Sequence, residues 1–175
     1  MRRGPGIPHI DAFLRAVAVG GVTGSVDIHT FMRNNGYSTW QFERVLYNLK
    51  RLGYIIPWST HGVYMVNPEL FSIEENKVYS PRRPREPHLD LLLLVLSGDR
   101  TPHDGFVKLW AGARDPGALY RRTRHELLRY GYIEDRYANR LYYPGPHTIH
   151  VLGPAAEFIV PPIRDKVIKT DLIIS

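Results

Sequence analysis

The sequence contains no cysteine, which excludes disulfide bonds and thiolate metal sites. It also lacks a long apolar run. Residues 1–8 do not have the pattern of a secretory signal, and the apolar stretch 89–96 is far shorter than the roughly 20 residues that a membrane-spanning helix needs. We therefore expect a cytoplasmic protein that makes no contact with a membrane.

Signatures of common enzymes are missing too. The chain has no Gly-rich phosphate loop, no paired-histidine metalloprotease motif and no Gly-x-Ser-x-Gly elbow. His147 and His150 are separated by two residues, and we interpret both as structural side chains. We expect a protein that is not an enzyme and that carries no cofactor or metal ion.

Lysine is scarce, with five residues against 18 arginines, and the formal net charge is +6. The planar guanidinium group of arginine can donate two parallel hydrogen bonds to a phosphate, so this bias favours an anionic partner. A charged surface on a protein from a hot or GC-rich source would give a similar composition. The charge is therefore a supporting observation and does not identify the partner.

The chain contains an internal repeat. Residues 8–11 (PHID) return as 87–90 (PHLD), and residues 49–55 (LKRLGYI) return as 127–133 (LLRYGYI). The first match needs a step of 79 residues and the second a step of 78, so one residue is lost between them, within the Gly-rich stretch 20–24. The step exceeds the roughly 20–50 residues of solenoid repeats. It predicts two copies of one small fold in tandem.

The first copy has the pattern of three helices followed by a β-hairpin. Helical spacing of apolar residues starts at Pro8 and stops at residues 20–21. Ser25 is a good N-cap for the second helix and Ser38 or Thr39 for the third, and Gly53 suits the left-handed position that ends the third helix. Strands are expected at 54–58 and 63–66, around a turn at 59–62. Trp40 is expected to pack against this hairpin.

The second copy gives the same order, with helices at 89–96, 101–111 and about 116–130 and strands at 132–136 and 141–143. Three helices and a hairpin within about 60 residues is the order of a winged helix, a variant of helix-turn-helix. The predicted fold class is α+β, with two tandem winged-helix domains and a β-rich C-terminal tail. The predicted bounds are 1–75 for domain 1, 76–86 for a Pro/Arg-rich linker, 87–146 for domain 2 and 147–175 for the C-terminal extension.

The linker and the extension have different patterns. The prolines of the linker predict an extended, solvated and semi-rigid spacer. In the extension, β segments are expected at 148–152, 157–160 and 166–174. Apolar, β-prone segments of this kind predict a homodimer formed through the extension, the alternative being an extension that folds back onto its own second domain.

The segments 49–55 and 127–133 resemble the sequence with which winged-helix transcription regulators of the multiple-antibiotic-resistance type leave their third helix and enter the first wing strand. The resemblance covers residues 8–66 and 87–143. It implies binding to double-stranded DNA and transcription regulation, with the third helix in the major groove. The arginine bias, the lack of cysteine and the tandem arrangement are also similar to those of small archaeal virus proteins, for which the location would be the host cytoplasm.

Carried onto this chain, the resemblance implies DNA contacts from the solvent face of both third helices. Glutamine and asparagine can pair with adenine and arginine with guanine, which makes Gln41, Asn48 and Arg44 candidates for base contacts. The second copy has Leu119 and Glu126 in place of Gln41 and Asn48, which favours phosphate contacts there. The candidate DNA-binding residues, including two in the hairpin turns, are Ser38, Thr39, Gln41, Arg44, Asn48, Arg51, His61, Arg121, Arg122, His125, Arg129 and Arg140.

Three functions stay open at this point. The first is a transcription regulator that binds duplex DNA. The second is a replication initiator that binds iterated sites, which would also account for two different third helices in one chain. The third is a protein-interaction or structural module that binds no nucleic acid.

Overall fold

In the computed structural model, which describes residues 6–58, 60–136 and 141–159, the first half of the chain has three helices and a three-stranded antiparallel sheet. The elements are helix α1 (Pro8–Ala18), strand β1 (Val22–Gly24), helices α2 (Ser25–Asn34) and α3 (Thr39–Leu52), and strands β2 (Ile55–Pro57) and β3 (Val63–Val66). Strand β3 lies between β1 and β2, with Tyr64 opposite Thr23 and Met65 opposite Ile56.

The second half repeats the order of helices and hairpin. A short hairpin of β4 (Phe71–Ser72) and β5 (Lys77–Val78) is followed by helices α4 (Pro87–Leu96), α5 (Pro102–Leu109) and α6 (Pro116–Arg129) and by the antiparallel strands β6 (Ile133–Arg136) and β7 (Leu141–Pro144). Helix α7 (Pro146–Leu152), a 3-10 turn (Gly153–Ala155) and helix α8 (Ala156–Ile159) come last. The fold is α+β, with small antiparallel sheets.

Local sequence signals account for the bounds of the two longest helices. The Ser38 side chain accepts a hydrogen bond from the Gln41 N–H at 3.1 Å, and the Gln41 side chain accepts one from the Ser38 N–H at 2.8 Å, which together form a capping box for α3. Gly53 ends α3 with a φ of 82°, a conformation that strains other residues. Asp115 caps α6 through the Ala118 N–H at 3.0 Å. The caps at Ser38 and Gly53 confirm the prediction.

Two expectations for the first half and the linker are wrong. Gly24, and not the predicted Ser25, is the N-cap of α2, because the Gly-rich stretch after α1 contains β1, which pairs with an edge of β3. The linker is not a solvated spacer throughout. Pro81 is buried and Arg85 is 9% exposed, with its Nη2 atom 3.0 Å from a carboxylate oxygen of Glu69.

The C-terminal extension is helical as far as it is described, which corrects the β segments expected at 148–152 and 157–160. Helix α7 packs against α1 and β6, and the buried Thr148 hydroxyl donates to the Tyr132 carbonyl at 2.8 Å. In a short apolar run, periodicity does not distinguish a strand from a buried helix, and the prediction of β segments was wrong for this reason. The segment 166–174 lies outside the described residues, and the homodimer through the extension stays a prediction.

Buried apolar side chains from both halves form one continuous core. Within it, two buried tyrosines donate hydrogen bonds from one half to the other. The Tyr54 hydroxyl donates to Asp90 Oδ1 at 2.9 Å, and the Tyr132 hydroxyl donates to Asp11 Oδ1 at 2.7 Å. The two halves are thus joined through residues that the sequence repeats.

Candidate nucleic-acid interface

Helices α3 and α6 each present a row of side chains to solvent. With about 3.6 residues per turn, positions i, i+4, i+7 and i+11 lie on one face of a helix. On α3 this row, the α3 stripe, is exposed at all four positions and consists of Trp40, Arg44, Tyr47 and Arg51. A step of 78 residues gives the α6 stripe, which is exposed at its last three positions and consists of Ala118, Arg122, His125 and Arg129.

The two stripes share their arginines. Arg44 corresponds to Arg122 and Arg51 to Arg129, so both helices place a guanidinium group at the second and fourth positions of the row. Within the described parts of the chain, none of these four arginines forms an ion pair. Their charges are therefore available to an anionic partner.

Aromatic side chains distinguish the α3 stripe. Trp40 is 64% exposed and Tyr47 is 62% exposed, and the Arg44 guanidinium carbon lies 5.5 Å from the centre of the Trp40 ring. The expectation that Trp40 packs against the hairpin is wrong. The helical spacing of Trp40, Arg44 and Tyr47 was the signal that could have placed this tryptophan on the open face.

Gln41 and Asn48 lie on the flank of α3 that borders the core. They form one helical row with Val45 and Leu52, because Gln41 is four residues before Val45 and Asn48 is three residues after it. Both are half-buried, and each is already bonded within the protein. Gln41 belongs to the capping box, and Asn48 Nδ2 lies 3.2 Å from His9 Nε2. The predicted base contacts of these two amides stay predictions, but each would replace a bond that the fold uses.

Ser38 and Thr39 stand at the exposed start of α3. The Ser38 hydroxyl is engaged in the cap, and the Thr39 hydroxyl lies 3.2 Å from His29 Nε2. Two candidates come from the hairpin turns. His61 is exposed in the β2–β3 turn, whereas Arg140 lies outside the described residues.

A groove beside α6 gathers further positive charge. It runs between the start of α5, helix α6 and the β6–β7 pair. The basic and acidic residues of its lining are Arg100, His103, Arg121 and Arg124 together with Asp104 and Asp135. Arg121 is exposed next to the α6 stripe, whereas the Arg124 guanidinium is half-buried, 5.7 Å from the centre of the Tyr120 ring. Sequence reasoning identified Arg121 and left Arg124 aside, and the burial of Arg124 agrees with that choice.

Two equivalent histidines connect the third helices to the first helix of each half. His88 Nε2 lies 2.9 Å from a carboxylate oxygen of Glu126 on α6, as His9 lies beside Asn48 on α3. Burial works to lower the pKa of His88, but its contacts with Glu86 and Glu126 raise the pKa above its usual value. Burial lowers the pKa of His9. The charge of Glu86 acts to raise this pKa, and the charges of Arg44 and His88 act to lower it.

Comparison of the chain with protein-family models, with curated proteins and with solved structures found no match. Among the described residues, no group of three or more His, Asp or Glu side chains is arranged to hold a metal ion, and no helix is both long and apolar enough to cross a membrane.

Proposed function

We propose that this chain binds double-stranded DNA through α3 and α6, that its two halves act as a tandem pair of winged helices, and that it regulates transcription. The observation that carries the proposal is the pair of equivalent stripes, each with two exposed arginines on the open face of the third helix. A helix with such a face fits the major groove, where arginine contacts both guanine edges and phosphates. The net charge of +6 supports an anionic partner.

The two helices are proposed to have different parts in binding. The α3 stripe combines arginines with Trp40 and Tyr47, which supply flat surfaces for base edges, thymine methyl groups or sugars. The α6 stripe lacks aromatic rings and has Arg121 as an exposed neighbour, which favours phosphate contacts. Sequence preference is therefore assigned mainly to α3 and affinity without sequence preference mainly to α6.

A protein partner is the second candidate, and the exposed aromatic side chains favour it. Tryptophan, tyrosine and arginine are enriched at the centres of protein interfaces, and Trp40, Arg44 and Tyr47 form such a group on α3. A replication initiator, the alternative within the DNA-binding class, would use the same stripes.

The test is the affinity of the whole chain for a fluorescent random duplex as the salt concentration rises. With on the order of 5–8 phosphate contacts, the slope of log K against log salt is expected to be about −5 to −7. The double variant Arg44→Ala, Arg122→Ala should make this slope shallower by about 2. Arg82→Ala, which changes an exposed arginine outside both stripes and outside the groove beside α6, is the matched control. Absence of binding at low salt, or a slope unchanged in the double variant, contradicts the proposal and leaves the protein partner.

A further inference from the structure

The hydrogen bonds between the halves are reciprocal. Tyr54 of the first half donates to Asp90 of the second, and Tyr132 of the second half donates to Asp11 of the first. Tyr54 and Tyr132 occupy equivalent positions of the repeat, and so do Asp11 and Asp90. When the same two surfaces contact each other in both directions, the interface is isologous, and the units are related by an approximate twofold axis.

Backbone contacts at the same place repeat this symmetry. The Tyr54 hydroxyl lies 3.2 Å from the Glu86 carbonyl oxygen, and the Tyr132 hydroxyl lies 3.2 Å from the Ile7 carbonyl oxygen. Ile7 and Glu86 are also equivalent positions, 79 residues apart. A head-to-tail arrangement would pair only one of the two tyrosines with the other half. Since both are buried and paired, the twofold relation holds although the copies follow one another along the chain.

The third helices lie on either side of this axis. His9 and His88, at the starts of α1 and α4, are close enough for the charge of one to act on the other. His9 contacts Asn48 of α3, and His88 contacts Glu126 of α6. Each third helix is therefore anchored at its middle to a histidine that stands next to the axis, and its stripe follows the same symmetry.

We infer that a single chain binds an inverted repeat in DNA, with one half-site for α3 and the other for α6, and that the two half-sites are unequal. This inference rests on the proposed function. Helices related by a twofold axis meet a duplex in opposite directions, so their half-sites are inverted. The tandem order of the two copies along the chain, taken alone, would instead favour a direct repeat. The half-sites share the contacts of Arg44 and Arg122 and differ where α3 has Trp40 and α6 has Ala118.

The absence of cysteine makes a direct test possible, since a single introduced thiol can carry a DNA-cleaving iron chelate. Glu43→Cys and Arg121→Cys place the chelate at equivalent exposed positions of α3 and α6. Each labelled full-length chain is bound to one duplex enriched from a random pool, and the cleavage sites on both strands are mapped. Arg82→Cys, exposed in the segment before α4, is the control for cleavage away from the stripes.

For an inverted repeat, the two chelates cut at positions related by a dyad in the DNA, on opposite strands. Cuts on the same strand with a constant offset would establish a direct repeat, and cuts from only one chelate would show that one helix alone enters the DNA. Either result overturns the inference while the proposed function stands. A pool from which no duplex is enriched refutes the proposed function itself, and this inference with it.

Affinity gives a second readout. One chain should bind one duplex that carries the inverted repeat, on the order of 100-fold more tightly than a duplex with a single half-site, because the second contact is intramolecular. The ratio of chains to duplexes at saturation should be one to one, both for a monomer and for the predicted dimer, in which each copy binds its own duplex. Two chains for each duplex, or equal affinity for one and two half-sites, would contradict the inference. Unlabelled wild-type protein suffices for this measurement, so the result does not depend on the folding of any variant.

Discussion

Removal of the Tyr132 hydroxyl should destabilise the protein strongly, because this group serves both halves at once. It donates to Asp11 Oδ1 at 2.7 Å and accepts a hydrogen bond from the Ile7 N–H at 2.6 Å, in a place where the tyrosine is 0% exposed. In Tyr132→Phe, Asp11 keeps its contacts with Tyr37 and His147, but the Ile7 N–H loses its partner.

The expected cost follows from these two losses. A hydrogen bond to a carboxylate contributes about 1.5–3 kcal/mol, and a buried N–H without a partner costs about 1–3 kcal/mol. We expect the free energy of unfolding to fall by about 3 kcal/mol in total, since Asp11 retains two partners. For a chain of this size, that corresponds to a melting temperature lower by roughly 6–12 °C.

The measurement is urea unfolding followed by circular dichroism, with an unchanged m-value as evidence that the same surface is exposed. Tyr79→Phe is the matched control, because the Tyr79 hydroxyl bonds to Glu75 near the surface and does not connect the two halves. A loss below about 1 kcal/mol in Tyr132→Phe, or a loss equal to that of the control, would refute the view that this hydroxyl holds the halves together.

Three further predictions concern the cap, the buried carboxylate and the extension. Gln41→Ala should lower the free energy of unfolding in urea by about 1 kcal/mol, whereas Gln41→Glu should keep the cap. Altered base preference at full stability in Gln41→Glu would assign Gln41 to the DNA. Burial raises the pKa of Asp90 from 3.8 to about 6, so its protonated form favours folding and that stability is lost as the pH rises through 6. Relative to Asp90→Asn, the wild type should lose about 3 kcal/mol between pH 4 and 7, and parallel pH profiles would contradict this. Removal of residues 160–175 should convert a dimer to a monomer in light scattering, and a full-length monomer would contradict the predicted dimer.

The sequence was sufficient to predict the structure where the signal is local. The start and end of α3 depend on Ser38, Gln41 and Gly53, three residues whose side chains or conformations act within one turn of the chain. The exposed arginines of α3 and α6 were predicted equally well, because helical spacing places them opposite the apolar row. The same spacing could not place Gln41 and Asn48, which lie at the border between the core and solvent. At a border, the neighbouring element decides whether an amide meets water or a partner such as His9.

The errors elsewhere have a common physical origin in contacts between segments distant in the chain. Strand β1 forms because the edge of β3 is free, and α7 forms where apolar residues meet α1. Neither neighbour is visible in the local pattern. A run such as residues 148–152 is compatible with either a strand or a buried helix until its neighbour is known. The β segment predicted at 148–152 is wrong for that reason, and in the structure Thr148, Val151 and Leu152 are buried on a helix.

The internal repeat carried more information than the duplication alone. Its best-matched residues include Asp11 with Asp90 and Tyr54 with Tyr132, and these four side chains form the two reciprocal bonds between the halves. In a homodimer, one change at such an interface is made twice. In a single chain, each copy can change separately, and the third helices have done so at Trp40 and Ala118. The interface residues have kept their identity in both copies because each tyrosine must match the aspartate of the other copy. The residues that stayed alike therefore mark the surface that fixes the two helices relative to each other, and the residues that diverged mark the surface where two unequal half-sites are expected.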